Sequence, residues 1–565
     1  MRRSHQTMYA LGALTSLAAH GFVCPDVPEP DLAAFVIPEA YPLDFSLGPP
    51  PKARQLLLAL IFARTDAVLE HETPIQTRIL NRFQIAFWNC VAAFHPTYLD
   101  AWTLERPSVS VPFDELHTTD ARAMCGLAAV GGLHAFLLPD RDAAFEESLP
   151  ASFFNMTTGL DDDLVAACPD ALNATCLAAW VECEGYAPFA VGAAVAYELV
   201  ARGADDGWNG EGAITKYGTP CTGNCRPYGD TTNYEPSRMS DCATIAVGVS
   251  KEERRRRRRL QFGAYTTDDT GDDTACWVPL EEDDGRGYFL RQQHVTPHIG
   301  PHAIPRSMSM ADVQARSVAK PAYDYALETD LVIERLAALD DYQKMQVEFF
   351  DVKLNYTTML AFAVNSRVRE ASTYERLCFL FVGSTAAEHD SVIVAWNEKV
   401  RHSLIRPTTV LEAGPSVLVE TFAGPTEGVR AINRDQVEPY IRIMPHAEFP
   451  SASGCICKSV QEYYDAVVPF MYGIEVPPSS VVVPAGSSRV EPGLTPAEDL
   501  TLAYATTVDS ALACGQSRLD GGLHFTAAIN ASYALCDGLG LGVFEYATSL
   551  VGGVPIPGPP TPPEA

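Results

Sequence analysis

Three short segments of this 565-residue chain carry groups that could hold one small anion. The segment "VAWNEKVRHSLIRPTTV", residues 394–410, places Lys399 seven positions before Arg406, and Pro407 follows directly. On a helix this spacing returns to nearly the same face, so both cations can reach one point. A solvated helix that ends at the proline explains the same pattern, and the other segments must decide between the two interpretations.

Those segments supply hydroxyls, backbone amides, a third cation and an imidazole. In "MPHAEFPSASGCICKSVQEYY", residues 444–464, Ser451 or Ser453 is placed to cap a helix, whose first free N–H groups would face an anion. In "GQSRLDGGLHF", residues 515–525, Arg518 precedes His524 across a Gly-Gly turn, and we expect both at a helix start. Such groups together are what a tetrahedral or trigonal-bipyramidal oxyanion requires.

The overall charge argues against a polyanionic partner. The chain has 41 Lys and Arg residues against 71 Asp and Glu residues, a formal net charge of -30. This charge repels nucleic acid at long range, so any anion site must be a local region of positive charge in a negatively charged protein. The one basic run, Arg254–Arg259, stands between acidic flanks, and we interpret it as a solvated insertion loop rather than a binding tail or processing site.

Several features predict a secreted or otherwise exported protein. Two arginines followed by the apolar residues 8–23 resemble a signal peptide, and neither this segment nor a later one predicts a stable membrane span. Asn-x-Ser/Thr tripeptides begin at Asn155, Asn173, Asn355 and Asn530. We expect disulfides among the middle-region cysteines, and we prefer them to a zinc site at "CTGNC", which lacks a second Cys/His pair. These cysteines are Cys168, Cys176, Cys183, Cys221, Cys225, Cys242 and Cys276.

Apolar residues at spacings of three and four dominate the chain and predict an all-α protein of two packed helical bundles. A long stretch rich in Gly, Pro, Asp and Cys separates the halves, and no strand ladder is evident. The predicted divisions are a signal-like segment (1–21), an N-terminal helical half (22–204), a loop-rich insertion (205–310), a C-terminal bundle carrying the oxyanion site (311–550) and a proline-rich tail (551–565).

The three anion-binding segments resemble a known signature. Lys399 with six residues before Arg406-Pro407, then Pro450-Ser451, then Ser517-Arg518 with five residues before His524, is similar to the motif shared by vanadium-dependent haloperoxidases and type 2 phosphatidic acid phosphatases. Residues 277–300, 339–350 and 391–399 resemble segments of the haloperoxidase branch. The resemblance extends from about residue 85 to about residue 548, and it implies the helical fold of the vanadium haloperoxidases.

The resemblance also implies roles for individual residues. His524 would be the apical partner, either coordinating vanadium as the metal ligand or accepting a phosphoryl group. The other implied positions surround the equatorial oxygens of vanadate, or of phosphate in the same pocket. This cofactor-binding set is Lys399, Arg406, Ser451, Ala452 and Arg518.

The chain departs from the family pattern at two positions. Where the family has serine-glycine-histidine, this chain has Ser451, Ala452 and Ser453, so the expected acid–base histidine is Ser453; sliding the match by two residues puts Cys455 there instead. Ala528 stands four residues beyond His524, where the family often has a carboxylate that fixes the histidine tautomer. His446 matches a histidine of algal bromoperoxidases and either compensates as a second base or plays no part.

Three functions fit these residues. The first is a vanadate-dependent haloperoxidase that oxidises halide with hydrogen peroxide and halogenates small organic acceptors. The second is an acid phosphatase with His524 as nucleophile, which loses most from the missing histidine because a leaving alkoxide needs a general acid. The third is a non-catalytic oxyanion binder. Halide preference is not readable from the sequence, and a homo-oligomer stays open.

Overall fold

The computed structural model describes residues 72–108, 119–137, 187–223, 225–234, 277, 279, 281–283, 289–291, 294–414 and 416–556. The signal-like segment, the Arg254–Arg259 run, the tripeptides at Asn155 and Asn173, and five of the middle-region cysteines lie outside these residues. The five cysteines are Cys168, Cys176, Cys183, Cys242 and Cys276.

The described chain is mostly helical, which confirms the predicted all-α class. Three helices belong to the N-terminal half: α1 (Thr73–Ala93), α2 (Thr119–Leu137) and α3 (Ala187–Gly203). The later helices are α4 (Ile299–His302), α5 (Met310–Ala315), α6 (Tyr325–Ala337), α7 (Asp341–Phe349), α8 (Lys353–Val368), α9 (Tyr374–His402), α10 (Pro407–Ala413), α11 (Ala452–Tyr472), α12 (Thr507–Asp520), α13 (Thr526–Leu535) and α14 (Leu539–Leu550).

Helix α9 joins the two bundles. It is buried along nearly its whole length, contacting α1 on the N-terminal side and α11 and α14 on the other. Thr373 caps its start by accepting a hydrogen bond from the Arg376 N–H, and Ser403 ends it in a left-handed conformation with φ of 49°. One continuous apolar core therefore runs through both bundles.

A second, smaller core fixes the segments that carry the site. It includes Ile405 next to Arg406, Phe449 next to Glu448, and Leu523 and Phe525 on either side of His524. Because each polar residue has an apolar neighbour anchored in this core, the backbone that presents the polar side chain is held by packing.

The structure contains a few short strands, although no strand ladder is evident in the sequence. The described chain contains three two-stranded antiparallel sheets, formed by β1 (Glu281–Asp283) with β2 (Phe289–Arg291), β3 (Leu418–Phe422) with β4 (Val429–Asn433), and β5 (Ser479–Val483) with β6 (Leu500–Tyr504). The β3–β4 and β5–β6 strands are rich in Val, Leu, Thr and aromatic residues, which suit a pleated surface. Strand β6 ends at Tyr504, shortly before the helix α12 begins at Thr507.

Two helical stretches are long and apolar enough to cross a membrane, by length and composition alone. In Tyr374–His402 the most apolar 18-residue window is wholly buried inside the protein, and in Thr526–Leu550 44% of that window is buried. Core helices pass the same test, so this is weak evidence for a span.

Disulfides brace the start of α11. Cys455 pairs with Cys536, and Cys457 pairs with Cys514 of α12, so the alternative in which Cys455 occupies an acid–base position is wrong. The middle region contributes the Cys221–Cys225 disulfide, as preferred over zinc at "CTGNC". Cys90–Cys125 joins α1 to α2.

Replacing both Cys457 and Cys514 by Ala should lower the free energy of unfolding by about 2–4 kcal/mol, because the disulfide closes a 57-residue separation in the unfolded chain. Denaturant unfolding without reductant measures the change. The Cys221→Ala, Cys225→Ala double variant, whose cysteines are 4 residues apart, is the control and should lose less. Equal losses in the two variants would contradict this account.

Candidate active site

Lys399 and Arg406 do not share a helix, contrary to the spacing argument. Lys399 lies in the last turn of α9, whereas Arg406 is the residue before Pro407 and caps the start of α10. The backbone reverses at Ser403, and a residue before proline is driven out of the helical region. Both side chains are nevertheless buried, so the interpretation as a solvated helix is also wrong.

The two cations converge on three consecutive backbone carbonyls. Lys399 Nζ donates to the carbonyls of Ala447 at 2.6 Å and Glu448 at 3.0 Å. Arg406 Nε donates to the carbonyl of His446 at 2.9 Å. The segment 446–448 thus forms one wall of the site, and its backbone carbonyls fix the positions of the Lys399 and Arg406 side chains.

Arg406 also contacts both candidate histidines. Its Nη1 donates to the Leu523 carbonyl at 2.8 Å and lies 3.2 Å from His524 Nε2. Its Nη2 lies 2.9 Å from His446 Nδ1. The guanidinium therefore ties the segment before α11 to the segment before α13.

His524 has a carboxylate partner that the sequence comparison missed. Glu448 Oε1 lies 3.2 Å from His524 Nδ1 and accepts the Phe525 N–H at 3.0 Å. Glu448 Oε2 accepts the Tyr323 hydroxyl at 2.9 Å. The carboxylate expected four residues beyond His524 is thus replaced by one that lies far upstream in the chain.

The start of α11 points its free amides at the same space. Ser451 caps the helix, and its hydroxyl accepts the Gly454 N–H at 3.4 Å. The first N–H groups of a helix, here those of Ala452 and Ser453, have no acceptor within it and carry its positive dipole end. A Cβ at Gly454 would lie 2.0 Å from Ser532 Oγ, so glycine lets this helix start sit close to α13.

Arg518 lies in the last turn of α12, not at a helix start as expected, where the negative end of the helix dipole favours a cation. Its Nη2 donates to the Val347 carbonyl at 2.5 Å, and its Nη1 lies 3.6 Å from Asp351 Oδ1. The neighbouring Lys353 is buried and donates to the carbonyl of Phe350. The site therefore includes a lysine that the signature does not contain.

One cavity collects most of these groups. Six of the eight residues proposed from the sequence line it: Arg406, His446, Ala452, Ser453, Arg518 and His524. Lys399 and Ser451 do not line the cavity but are buried directly beside its lining residues. Among the other lining residues are Thr73, Asp351, Lys353, Trp396, Arg442 and Met444.

The electrostatics follow from burial. Burial, with the neighbouring arginine adding, holds the pKa of Lys399 and of Lys353 well below the usual lysine range. Burial likewise lowers the pKa of Arg406 and of Arg518 to about 10. Burial and then the cations Arg406 and Lys399 keep the pKa of His524 well below its ordinary value, so its imidazole is neutral at neutral pH.

Aromatic and imidazole rings form the far side of the site. Trp396 lies 4.7 Å from the ring of His446, and His294 packs edge-on against Trp277 at 5.1 Å. The His294 Nε2 accepts the Ala447 N–H at 3.2 Å, which supports the carbonyl wall from behind. Residues of the predicted loop-rich insertion therefore pack against the site rather than standing apart from it.

Sequence reasoning missed Glu448, Lys353 and Tyr323. Glu448 lies within the quoted segment 444–464, three residues before Ser451, so a buried carboxylate between two apolar residues was available as a signal. Lys353 and Tyr323 are distant in sequence from every motif, and their approach depends on how α6 and α8 pack.

The residues present fit a tetrahedral oxyanion. Five basic side chains, Lys353, Lys399, Arg406, Arg442 and Arg518, line or adjoin the cavity, whereas two carboxylates, Asp351 and Glu448, lie beside them. A multiply charged anion complements that imbalance, and the α11 amides add uncharged donors. Among the described residues no cluster of three or more His, Cys, Asp or Glu side chains could hold a bare metal cation.

Comparison with known proteins agrees with this geometry. A family model described as the VCPO second helical-bundle domain matches residues 379–553. Crystal structures of the holo and apo forms of a bacterial vanadium-dependent chloroperoxidase share the fold, with TM-scores of 0.65 and 0.66 at 20% identity. The matches cover 85% of this chain and 93% and 94% of those chains. A search of curated proteins finds no significant match.

The fold of this chain is therefore similar to that of the vanadium-dependent chloroperoxidases. The match to the family model covers the part of the chain that carries Lys399, Arg406, Ser451, Arg518 and His524.

The buried His294 should make folding stability depend on pH. Burial lowers its pKa to about 3, against about 6.5 in an unfolded chain. Below pH 6.5 the unfolded state binds a proton that the folded state does not, so stability falls by about 1.4 kcal/mol per pH unit as the pH drops towards 3. His294→Gln should remove that contribution, making the slope of unfolding free energy between pH 6 and 4 shallower by about this amount.

The exposed His302 is the matched control, and His302→Gln should leave the slope unchanged. Denaturant unfolding at a series of pH values measures both variants. A His294→Gln slope equal to that of the wild type would show that His294 is not held neutral.

Proposed function

We propose that this protein is a vanadate-dependent haloperoxidase that oxidises halide with hydrogen peroxide and halogenates small organic acceptors. The observation that carries the proposal is one buried cavity lined by Arg406, Arg518, His524 and the start of α11. Bound vanadate would supply the peroxide-activating and halide-oxidising chemistry.

The protein's own residues bind and orient the oxyanion. Arg406 and Arg518 line the cavity and would bind its oxygens, each charge-assisted hydrogen bond being worth about 1.5–3 kcal/mol. Lys399 lies directly behind the carbonyl wall, where its Nζ donates to the Ala447 and Glu448 carbonyls. The Ala452 and Ser453 amides would be the uncharged donors, with Ser451 capping the helix that presents them, and His524 Nε2 is the protein atom proposed to coordinate vanadium.

Proton transfer is the step for which this chain differs from the family pattern. Ser453 lines the cavity but its hydroxyl does not titrate near neutral pH. His446 also lines it, yet burial and the cations Lys399 and Arg406 keep its pKa well below the ordinary value, so it does not become protonated to act as an acid. Lys353, whose pKa burial draws down from that of a free lysine, is better suited to exchange a proton within the cavity.

The direct test is vanadate reconstitution of the purified full chain, followed by a peroxide-dependent bromination assay with phosphate as competitor. Bromination that requires vanadate and is inhibited by phosphate supports the proposal. Hydrolysis of a phosphate monoester without vanadate would support the acid phosphatase instead. Oxyanion binding without either reaction would indicate a non-catalytic relative.

Replacing His524 by Ala should abolish vanadate retention, because it removes the one protein atom proposed to bond the metal. Equilibrium dialysis against vanadate measures the loss, with bound vanadium determined by elemental analysis. His302→Ala, at an exposed site, serves as the control and should retain vanadate fully. Retention by the His524→Ala variant would show that the arginines alone hold the ion.

Replacing Ser453 by His should raise the bromination rate by up to about 10²-fold, since it restores a titratable acid–base group at the cavity, with little change in vanadate affinity. Ser453→Asn is the control, because it adds comparable bulk without a group that titrates. An unchanged rate in Ser453→His, with activity eliminated in His446→Ala, would identify His446 as the working residue.

We further propose that the protein is exported. Four disulfides among the described residues support this, since such bonds persist in oxidising compartments. Extracellular fractionation of an expressing culture would test it, and finding the intact N-terminus on cytosolic protein with free thiols would overturn it.

A further inference from the structure

We propose that Glu448 is the positioning residue that fixes the tautomer of His524, so that Nε2 presents its lone pair to the oxyanion site. This inference rests on the proposed function, since it concerns the atom that would coordinate vanadium. It assigns a role to a residue outside the sequence signature.

The first support is the set of donors around Glu448. Its carboxylate is fully buried and accepts from the Tyr323 hydroxyl at 2.9 Å and the Phe525 N–H at 3.0 Å. Burial raises the pKa of Glu448 to about 7, and the Phe525 N–H, Arg406 and Lys399 act against that rise. Both carboxylate oxygens accept, Oε2 from Tyr323 and Oε1 from Phe525, so His524 Nδ1 at 3.2 Å from Oε1 is placed as a further donor.

The second support comes from the other edge of the imidazole. His524 Nε2 lies 3.2 Å from Arg406 Nη1, and a guanidinium has no acceptor. Nε2 must therefore be unprotonated, which again places the ring proton on Nδ1. Two independent contacts on opposite sides of the ring define the same tautomer.

The third support is that the position where the family often has a carboxylate partner for this histidine carries no carboxylate in this chain. Four residues beyond His524 the chain has Ala528, a buried residue without a polar side chain. Glu448 reaches Nδ1 from the segment before α11 instead, and the same segment provides the carbonyls that bind Lys399 and Arg406. Residues 446–448 therefore fix the positions of His524, Lys399 and Arg406 relative to one another.

A carboxylate bonded to Nδ1 also makes the opposite nitrogen a stronger donor to a metal. Removing such a partner typically costs 10- to 100-fold in metal affinity. Phosphate that binds only through charge-assisted hydrogen bonds is not coordinated by the histidine nitrogen. Loss of the Glu448 carboxylate should therefore weaken the binding of vanadate more than the binding of phosphate, although the two ions are similar in shape.

The experiment uses the full-length Glu448→Gln variant, with vanadate and inorganic phosphate as the two probes. Vanadate affinity should fall about 10- to 100-fold, whereas phosphate affinity should change less than about threefold. Glu398→Gln is the matched control, because Glu398 is a buried carboxylate beside His402, at 3.4 Å, that does not line the cavity. That variant should leave both affinities unchanged.

A second measurement reads the tautomer directly in the wild-type protein. Nitrogen-15 NMR of histidine-labelled wild-type protein should show His524 protonated on Nδ1, with the signal assigned by its loss in His524→Gln. Protonation on Nε2, or equal vanadate affinities in wild type and Glu448→Gln, would overturn this inference. Failure of the wild type to bind vanadate at all would instead overturn the proposed function, leaving the tautomer measurement intact.

Discussion

The site depends on the hydrogen bonds that the Arg406 guanidinium makes to two separate segments of the chain. Its five donors reach the His446 and Leu523 carbonyls and both imidazoles, so one side chain joins the segment before α11 to the segment before α13. A buried guanidinium that loses such acceptors is strongly destabilised, so the two segments are held in register. The smaller apolar core supports the same register from outside, through Ile405, Leu523 and Phe525. The hydrogen bonds of Arg406 and the apolar packing thus favour the same relative position of the segments before α11 and α13.

Much of this could be predicted from the sequence, for reasons that differ between elements. The helix α9 was evident because apolar residues recur through Tyr374–His402, and Ser451 was recognisable as a cap because a proline and small hydroxyl residues precede a helical pattern. The short β3–β4 hairpin was missed because two five-residue strands carry little periodic signal. Glu448 could not be assigned to His524 because they are 76 residues apart and only packing brings them together.

The spacing of Lys399 and Arg406 gives a sharper lesson. Their convergence was expected from a shared helix face, yet the chain turns at Ser403 and the two residues belong to different helices. They converge because consecutive carbonyls at 446–448 accept from both. Residue type and order were informative about the chemistry, whereas the geometry came from backbone acceptors that any residue could provide. Side-chain identity and backbone position are separate contributions to the site.

The contacts of Arg518 and Glu448 also bear on modularity. Arg518 donates to Val347 and lies near Asp351, and Glu448 accepts from Tyr323; all three partners precede residue 379, where the matched helical-bundle domain begins. At the start of α1, Thr73 donates to the sulfur of Met444 in the cavity wall. A fragment cut at the domain boundary would retain the signature residues but leave two buried charges without these partners. The candidate site therefore extends beyond the matched domain that carries its motifs, and the first bundle is a structural part of the site.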